Sequence, residues 1–225
     1  MLSQAIGDYL PAAVAVALSP IPIVAIVLVL HSPRARVSGP AFAVGWVAGL
    51  AAVSVLVVWL AGGTSNPSDG VTTGVNWLLA AVGVLLLGLA AQQWRKRPRR
   101  GEHAEVPGWM ASIDSVSPFR ALELGLALSA ANPKNLALTL TASAAIARAG
   151  LDGADSAIAI AVFVAIGSAT VVGAVLFYLV APGVAERPLA AVKRFMADNN
   201  ATIMMVILLL LGAKILGDAI SGLWT

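Results

Sequence analysis

Two stretches of this chain decide how the rest is read: Ala17-Leu18-Ser19-Pro20-Ile21-Pro22-Ile23, and Ala127-Leu128-Ser129 leading into Asn132-Pro133-Lys134-Asn135. Each sets proline in the middle of an apolar run. Proline lacks an N–H and its ring collides with the carbonyl four residues earlier, so a regular helix is interrupted at both places. The carbonyls set free are those of Val16 and Leu18 for Pro20 and Pro22, and that of Ser129 for Pro133. The runs themselves extend from about Ala5 to Leu30 and from about Phe119 to Ala147. At about 1.5 Å per residue, a break roughly 15 residues into each run lies near the middle of a hydrocarbon layer about 30 Å thick.

The surrounding sequence explains why lipid is the relevant solvent. Of 225 residues, 59% are apolar and only 11% are charged, and the mean hydropathy is +0.90. Soluble domains carry roughly a quarter charged residues, so this chain lacks the polar surface to face water on all sides. Further apolar runs span about Pro40–Ala61, Val75–Trp94, Ser156–Val180 and Ala201–Ile220. With the two interrupted runs they predict an all-α integral membrane protein of six transmembrane helices, the first and fourth broken at Pro. One membrane domain covers 1–225: a first repeat of about 1–94, a polar cytoplasmic linker of about 95–118, and a second repeat of about 119–225.

The net charge of +3 does not point to nucleic acid, because the basic residues cluster in connections between apolar runs. Arg34 and Arg36 follow the first run, Arg95, Lys96, Arg97, Arg99, Arg100 and Arg120 the third, and Arg187, Lys193 and Arg194 the fifth. Those connections share one side, and the other side holds Arg148 alone. The positive-inside rule then places both termini outside the cytoplasm, across a plasma membrane. Trp59, Trp77 and Trp224 fall near the outer interface and Trp94 near the inner one, as an aromatic belt requires. Around Trp109 the linker reads either as a short surface helix or as an ordinary loop. The first basic residue is Arg34, so the first run lacks the basic lead of a cleaved signal and is expected to stay in the protein. There is no cysteine, so disulfides and thiolate chemistry are excluded.

The repeated Ala-Leu-Ser ahead of breaks at matching depth marks an internal repeat. Three runs per half turn the second copy upside down, the layout of many secondary transporters. Broken helices persist in lipid where protein or a polar cavity covers the freed carbonyls. Two facing breaks therefore predict a polar site at the repeat interface, formed by Ser19, Pro20, Pro22, Ser129, Asn132, Pro133, Lys134 and Asn135, with Ser19, Ser129 and Asn132 supplying the replacement hydrogen bonds. A pair of plain structural kinks is the rival reading.

Lys134 is the most informative of these residues. A lysine at mid-bilayer costs roughly 2.5–3.5 kcal/mol on insertion scales and usually faces an interior cavity. Here it also begins the helix after Pro133, where free N–H groups and the helix dipole add positive potential. That combination favours an anionic group; a structural pairing with Glu123, Asp8, Asp218 or carbonyl oxygens is the alternative. No Asp, Glu or His stands at the centre of a run, which argues against a metal-ion path. His31 and His103 read as solvated loop residues. No catalytic constellation or nucleotide motif is present, so neither enzymatic activity nor a cofactor is expected. Gly45-x-x-x-Gly49, with Gly83, Gly88, Gly167 and Gly173, reads as close helix packing.

The two break motifs resemble those of the lysine-exporter (LysE) superfamily of small six-helix transporters, with Ser19-Pro20-Ile21-Pro22 in the first helix and Asn132-Pro133-Lys134 in the fourth. Amino-acid exporters of that group typically carry Pro-Gly-Pro where this chain has Pro20-Ile21-Pro22. The chain is more similar to the peptidoglycolipid addressing protein (GAP), or sulfolipid-addressing, family. The matching residues are Ala17 to Ile23, Ser32-Pro33-Arg34-Ala35-Arg36, Phe42 with Gly45-Trp46 and Gly49, Trp109-Met110, Ile113-Asp114, and Asn132 to Leu136. That resemblance implies export or surface delivery of polar lipids, including glycolipids, with a polar or anionic lipid as substrate. Two rival functions are an amino-acid or small-metabolite exporter, and a non-transporting subunit of a larger lipid-export machine. Short loops and few helices also leave room for a homo-oligomer.

Overall fold

Helix order follows the apolar runs. The computed structural model of the chain describes residues 1–62, 69–95 and 116–223. Most of the linker lies outside them, with His103, Trp109 and the basic residues Lys96, Arg97, Arg99 and Arg100, and so does Trp224. The described residues form α1 (Leu2–Ala17), α2 (Pro20–Leu30), α3 (Ala35–Gly62), α4 (Asp69–Arg95), α5 (Pro118–Leu126), a π turn (Ala127–Ala131), α6 (Pro133–Arg148), α7 (Gly153–Val180) and α8 (Pro182–Leu223). Among them, α7 and the segments Ala35–Leu60 and Pro182–Ser221 are long and apolar enough to cross a membrane. The bent pair α1–α2 makes a fourth crossing when taken as one span.

Several boundaries have visible causes. Ser117 caps α5, its side chain accepting from the Arg120 N–H at 3.3 Å, and Pro118 occupies the first helical position, where no N–H is needed. Gly150, at φ +60°, turns the chain after α6, a conformation that glycine adopts without a Cβ penalty. Asp152 then caps α7, accepting from the Asp155 N–H at 2.8 Å.

One boundary corrects the sequence reading. Arg187, Lys193 and Arg194 were expected in a loop before a helix starting near Ala201; instead α8 begins at Pro182 and runs through them. Ala185 and Leu189 are buried one turn apart while Arg187 and Arg194 stay exposed. An amphipathic helix of that kind satisfies its backbone without the continuous apolarity that a hydropathy reading looks for.

Packing relies on close approach rather than on bulk. Between membrane helices, van der Waals contact at small residues takes the role that apolar burial has in water. A Cβ on Gly45 would fall on the Leu122 carbonyl, one on Gly125 on the Phe42 carbonyl, and one on Gly49 on the Ser129 hydroxyl. α3 and α5 thus touch backbone to backbone along the predicted Gly45-x-x-x-Gly49 face. Gly83 meets the Leu216 backbone and Gly167 meets Val16, but Gly88 and Gly173 have open space beside them, so the packing expected of those two is not found. α1 is held to α7 by the Tyr9 hydroxyl, which donates to the Ala159 carbonyl at 2.9 Å, and by an edge-on contact of Tyr9 with Phe163. Trp46, fully buried, reaches from α3 to the Gly167 carbonyl of α7 at 3.4 Å. The exposed indoles Trp59, Trp77 and Trp94 point away from this core.

Candidate functional site

Both interruptions are present. At the first, the helix stops at Ala17, bends by 46° and restarts at Pro20, with Ser19 extended at φ −62°, ψ 113°. At the second, the helix widens into the π turn and Asn132 is extended at φ −70°, ψ 119° before Pro133 restarts it. Prolines and π turns are the usual causes of such kinks, and both operate here.

The two breaks meet. The Ser19 hydroxyl donates to Asn135 Oδ1 at 2.7 Å, across 116 positions of sequence. Asn135 Nδ2 in turn donates to the Leu128 carbonyl at 2.9 Å. The π register explains why this carbonyl needs a partner. An i to i+5 pattern gives Ala127 the Asn132 N–H at 3.0 Å and sets Leu128 opposite Pro133, which has none. The freed carbonyl expected from α-helical spacing was that of Ser129; in the π register the carbonyl opposite Pro133 is that of Leu128. At the first break the Val16 carbonyl accepts from the Ser19 N–H at 3.1 Å, and Ala17 receives the Thr170 hydroxyl of α7 at 2.5 Å.

The predicted residues divide by role. Ser19 and Asn135, 4% and 1% exposed, form the bridge, and Pro20 and Pro22 are buried beside it. Ser129 is fully buried against Gly49 and donates back to the Leu126 carbonyl at 3.0 Å, so it belongs to the α3–α5 contact. Asn132 caps α6 by accepting from the Lys134 N–H at 3.1 Å, and Pro133 is exposed. Side-chain bonds to carbonyls at the breaks thus come from Asn135 and Thr170 as well as from Ser129, while Asn132 supplies the cap. Thr170 was missed; it is one of several hydroxyl residues on an apolar helix, and spacing within one segment does not relate it to a break 153 positions earlier. Lys134, half-buried, is the second residue of α6. Of its suggested carboxylate partners, Asp218 pairs with Lys214 at 2.7 Å, and Asp8 and Glu123 are exposed. His31 lies at the end of α2, its Nδ1 at 2.7 Å from the Val27 carbonyl.

Direct contact across the breaks leaves the described cavities elsewhere. One of about 630 Å³ opens between α1, α4, α6 and α8, lined by Gln4, Asp8, Thr141, Arg148, Lys214 and Asp218 above the apolar side chains of Ala12, Leu79, Leu211 and Ile215. A larger apolar groove of about 1120 Å³ lies between α3 and α7, with Ser168 and Val164 among its lining.

Long apolar helices packed through glycine contacts around two interruptions that hydrogen-bond to each other define a helical membrane protein. The chain matches the family model described as Sap, sulfolipid-1-addressing protein, over residues 9–221, nearly its whole length. It belongs to that family. No curated protein and no solved structure matches it.

Proposed function

We propose that the chain is a six-span membrane transporter that delivers a polar lipid, of the sulfolipid or glycolipid kind, across the plasma membrane, with both termini outside the cytoplasm. The observation that carries this reading is the Ser19–Asn135 hydrogen bond, which ties the first interrupted helix to the second. Interrupted helices that meet at a repeat interface are how many small transporters place polar groups at mid-membrane. Packing supports two related halves in a single domain. α1 packs on α7 as α5 does on α3, α2 on α8 as α6 does on α4, and α3 on α6 as α7 does on α2. Each of these pairs exchanges with the other when repeat one is swapped for repeat two. The family's name supports a lipid cargo, and the paired motifs support kinship with the LysE exporters.

In this mechanism Ser19 and Asn135 hold the breaks together, Pro20 and Pro22 keep the first open, Asn132 and Ser129 shape the second beside Pro133, and Lys134 meets an anionic headgroup. The helix start at Pro133 adds positive potential beside the ammonium. Headgroup binding then competes with the Ser19–Asn135 contact and parts the halves. Lys134→Ala in a deletion background is expected to abolish appearance of the cargo lipid at the cell surface at unchanged protein level. Normal delivery by that variant would remove Lys134 from the mechanism.

A further inference from the structure

The cavity between α1, α4, α6 and α8 lies apart from the breaks and has its own chemistry. It opens at the end of the bundle that holds Met1 and Ser221. Of the side chains that line it, two are acids, Asp8 and Asp218, and two are bases, Arg148 and Lys214, so their formal charges balance. Lys214 and Asp218 neutralise each other at 2.7 Å. Asp8 and Arg148 stand on α1 and α6 with no ion pair between them. Gln4 and Thr141 add an amide and a hydroxyl. The lining side chains are thus interspersed donors and acceptors with no net sign among them. A lone anion would face Asp8 and Asp218, and a lone cation would face Arg148 and Lys214. Among the described lining residues there is no aromatic ring to hold a quaternary ammonium. Vicinal hydroxyls, each both donor and acceptor, match such a lining. The volume is that of a small-molecule site.

Helix α6 connects this cavity with the break. Thr141, Ala145 and Arg148 line the cavity, and helical spacing continues their stripe through Leu138 to Lys134. Thr141 stands about 10 Å along the axis from Lys134. Leu138, between them, is 1% exposed.

We propose that the cavity is a second polar site, for an uncharged polyhydroxyl headgroup such as the sugar of a glycolipid, and that Leu138 separates it from the break. The assignment rests on the transport reading above and adds to it a waiting position for the uncharged part of a headgroup whose anionic part meets Lys134. A headgroup passing between Lys134 and the outer end must displace the Leu138 side chain, whereas one resting in the cavity need not.

The chain contains no cysteine, so single cysteines report cleanly. Thr141→Cys and Lys134→Cys, in lipid nanodiscs, are to be exposed to a membrane-impermeant maleimide. Thr141→Cys is expected to react at least about tenfold faster, as a separated position opening roughly 10% of the time or less would require. Adding Leu138→Ala to Lys134→Cys is expected to remove most of that difference, with Leu138→Val intermediate if the alanine variant folds poorly. Octyl glucoside is expected to slow labelling of Thr141→Cys, while octyl sulfate and octyl phosphocholine at equal concentration leave it unchanged. Equal labelling of the two positions overturns the separation. Protection by the sulfate or phosphocholine compound, or none by the glucoside, overturns the headgroup class. These outcomes are independent of the Lys134→Ala lipid profile, so failure of this site and failure of the transport reading are told apart.

Discussion

At the first break Ser19 adopts φ −62° and ψ 113°, at the second Asn132 adopts φ −70° and ψ 119°, and each precedes a proline that restarts the helix. Similar backbone shapes are supported by different means. The first break borrows its support: Thr170 of α7 bonds the Ala17 carbonyl, and Asn135 of α6 receives the Ser19 hydroxyl. The second supports itself, through the π turn, the Asn132 cap and the bond from Asn135 to Leu128. A buried interruption thus draws on polar partners for its freed groups, but a partner need not be local. The asymmetry also makes Asn135 a side chain that serves both breaks.

The largest expected effect follows from that double duty. Asn135→Leu leaves the Leu128 carbonyl and the Ser19 hydroxyl buried without these partners, at about 1–3 kcal/mol each. A loss of about 2–5 kcal/mol is expected in unfolding from mixed micelles. A loss below about 1 kcal/mol would mean that the two breaks do not share a support. Next comes Gly49→Val, which drives a side chain into the Ser129 hydroxyl and pries α3 from the second break. Overpacking of this kind costs about 1–3 kcal/mol. Gly88→Val, with open space beside the glycine, is the control and is expected to leave thermal stability in detergent within about 0.5 kcal/mol of the parent.

A smaller and more selective effect is expected from Thr170→Val, which removes the hydroxyl at nearly constant shape. The Ala17 carbonyl then loses its donor from α7, at a cost of about 1 kcal/mol. The change should loosen the first break alone. Spin labels placed on α1 and α2 would then show a broadened angle distribution, while a pair on α5 and α6 keeps its own. Equal broadening at both would deny that the breaks are supported separately.

Much of this architecture was readable in the sequence because proline acts locally. Pro20, Pro22 and Pro133 announce both interruptions, and apolar run length announces the helices that carry them. Gly45 and Gly49 disclose the close α3 face for the same reason, since a missing side chain needs no knowledge of its neighbour to be conspicuous. What stayed hidden was pairing across distance. Thr170 and Ala17 are remote in sequence, and neither residue type is unusual in its segment. The π turn was also invisible: Leu126 to Ala131 holds nothing that distinguishes an i+5 register from an i+4 one, so the carbonyl opposite Pro133 was placed one residue late. The early start of α8 was missed because its first turns are amphipathic, with buried Ala185 and Leu189 set among exposed charges.

The smallest expected effect is the most discriminating for the origin of the second break. Sequence reasoning assigns that break to Pro133, yet Pro133 is exposed at the first position of α6, a place that proline commonly takes without breaking a helix. The extended conformation of Asn132 is fixed by its own side chain on the Lys134 N–H, and the Leu128 carbonyl is already engaged by Asn135. Pro133→Ala restores an N–H but frees no partner and fills no cavity. It is expected to change stability by less than about 0.5 kcal/mol, within the range of surface substitutions, and to leave the distance between spin labels on α5 and α6 unaltered. An increase of that distance toward a straight helix would make proline, rather than asparagine, the cause of the second interruption. The break would then be a simple kink, and Asn135 would be left bonding to Ser19 alone.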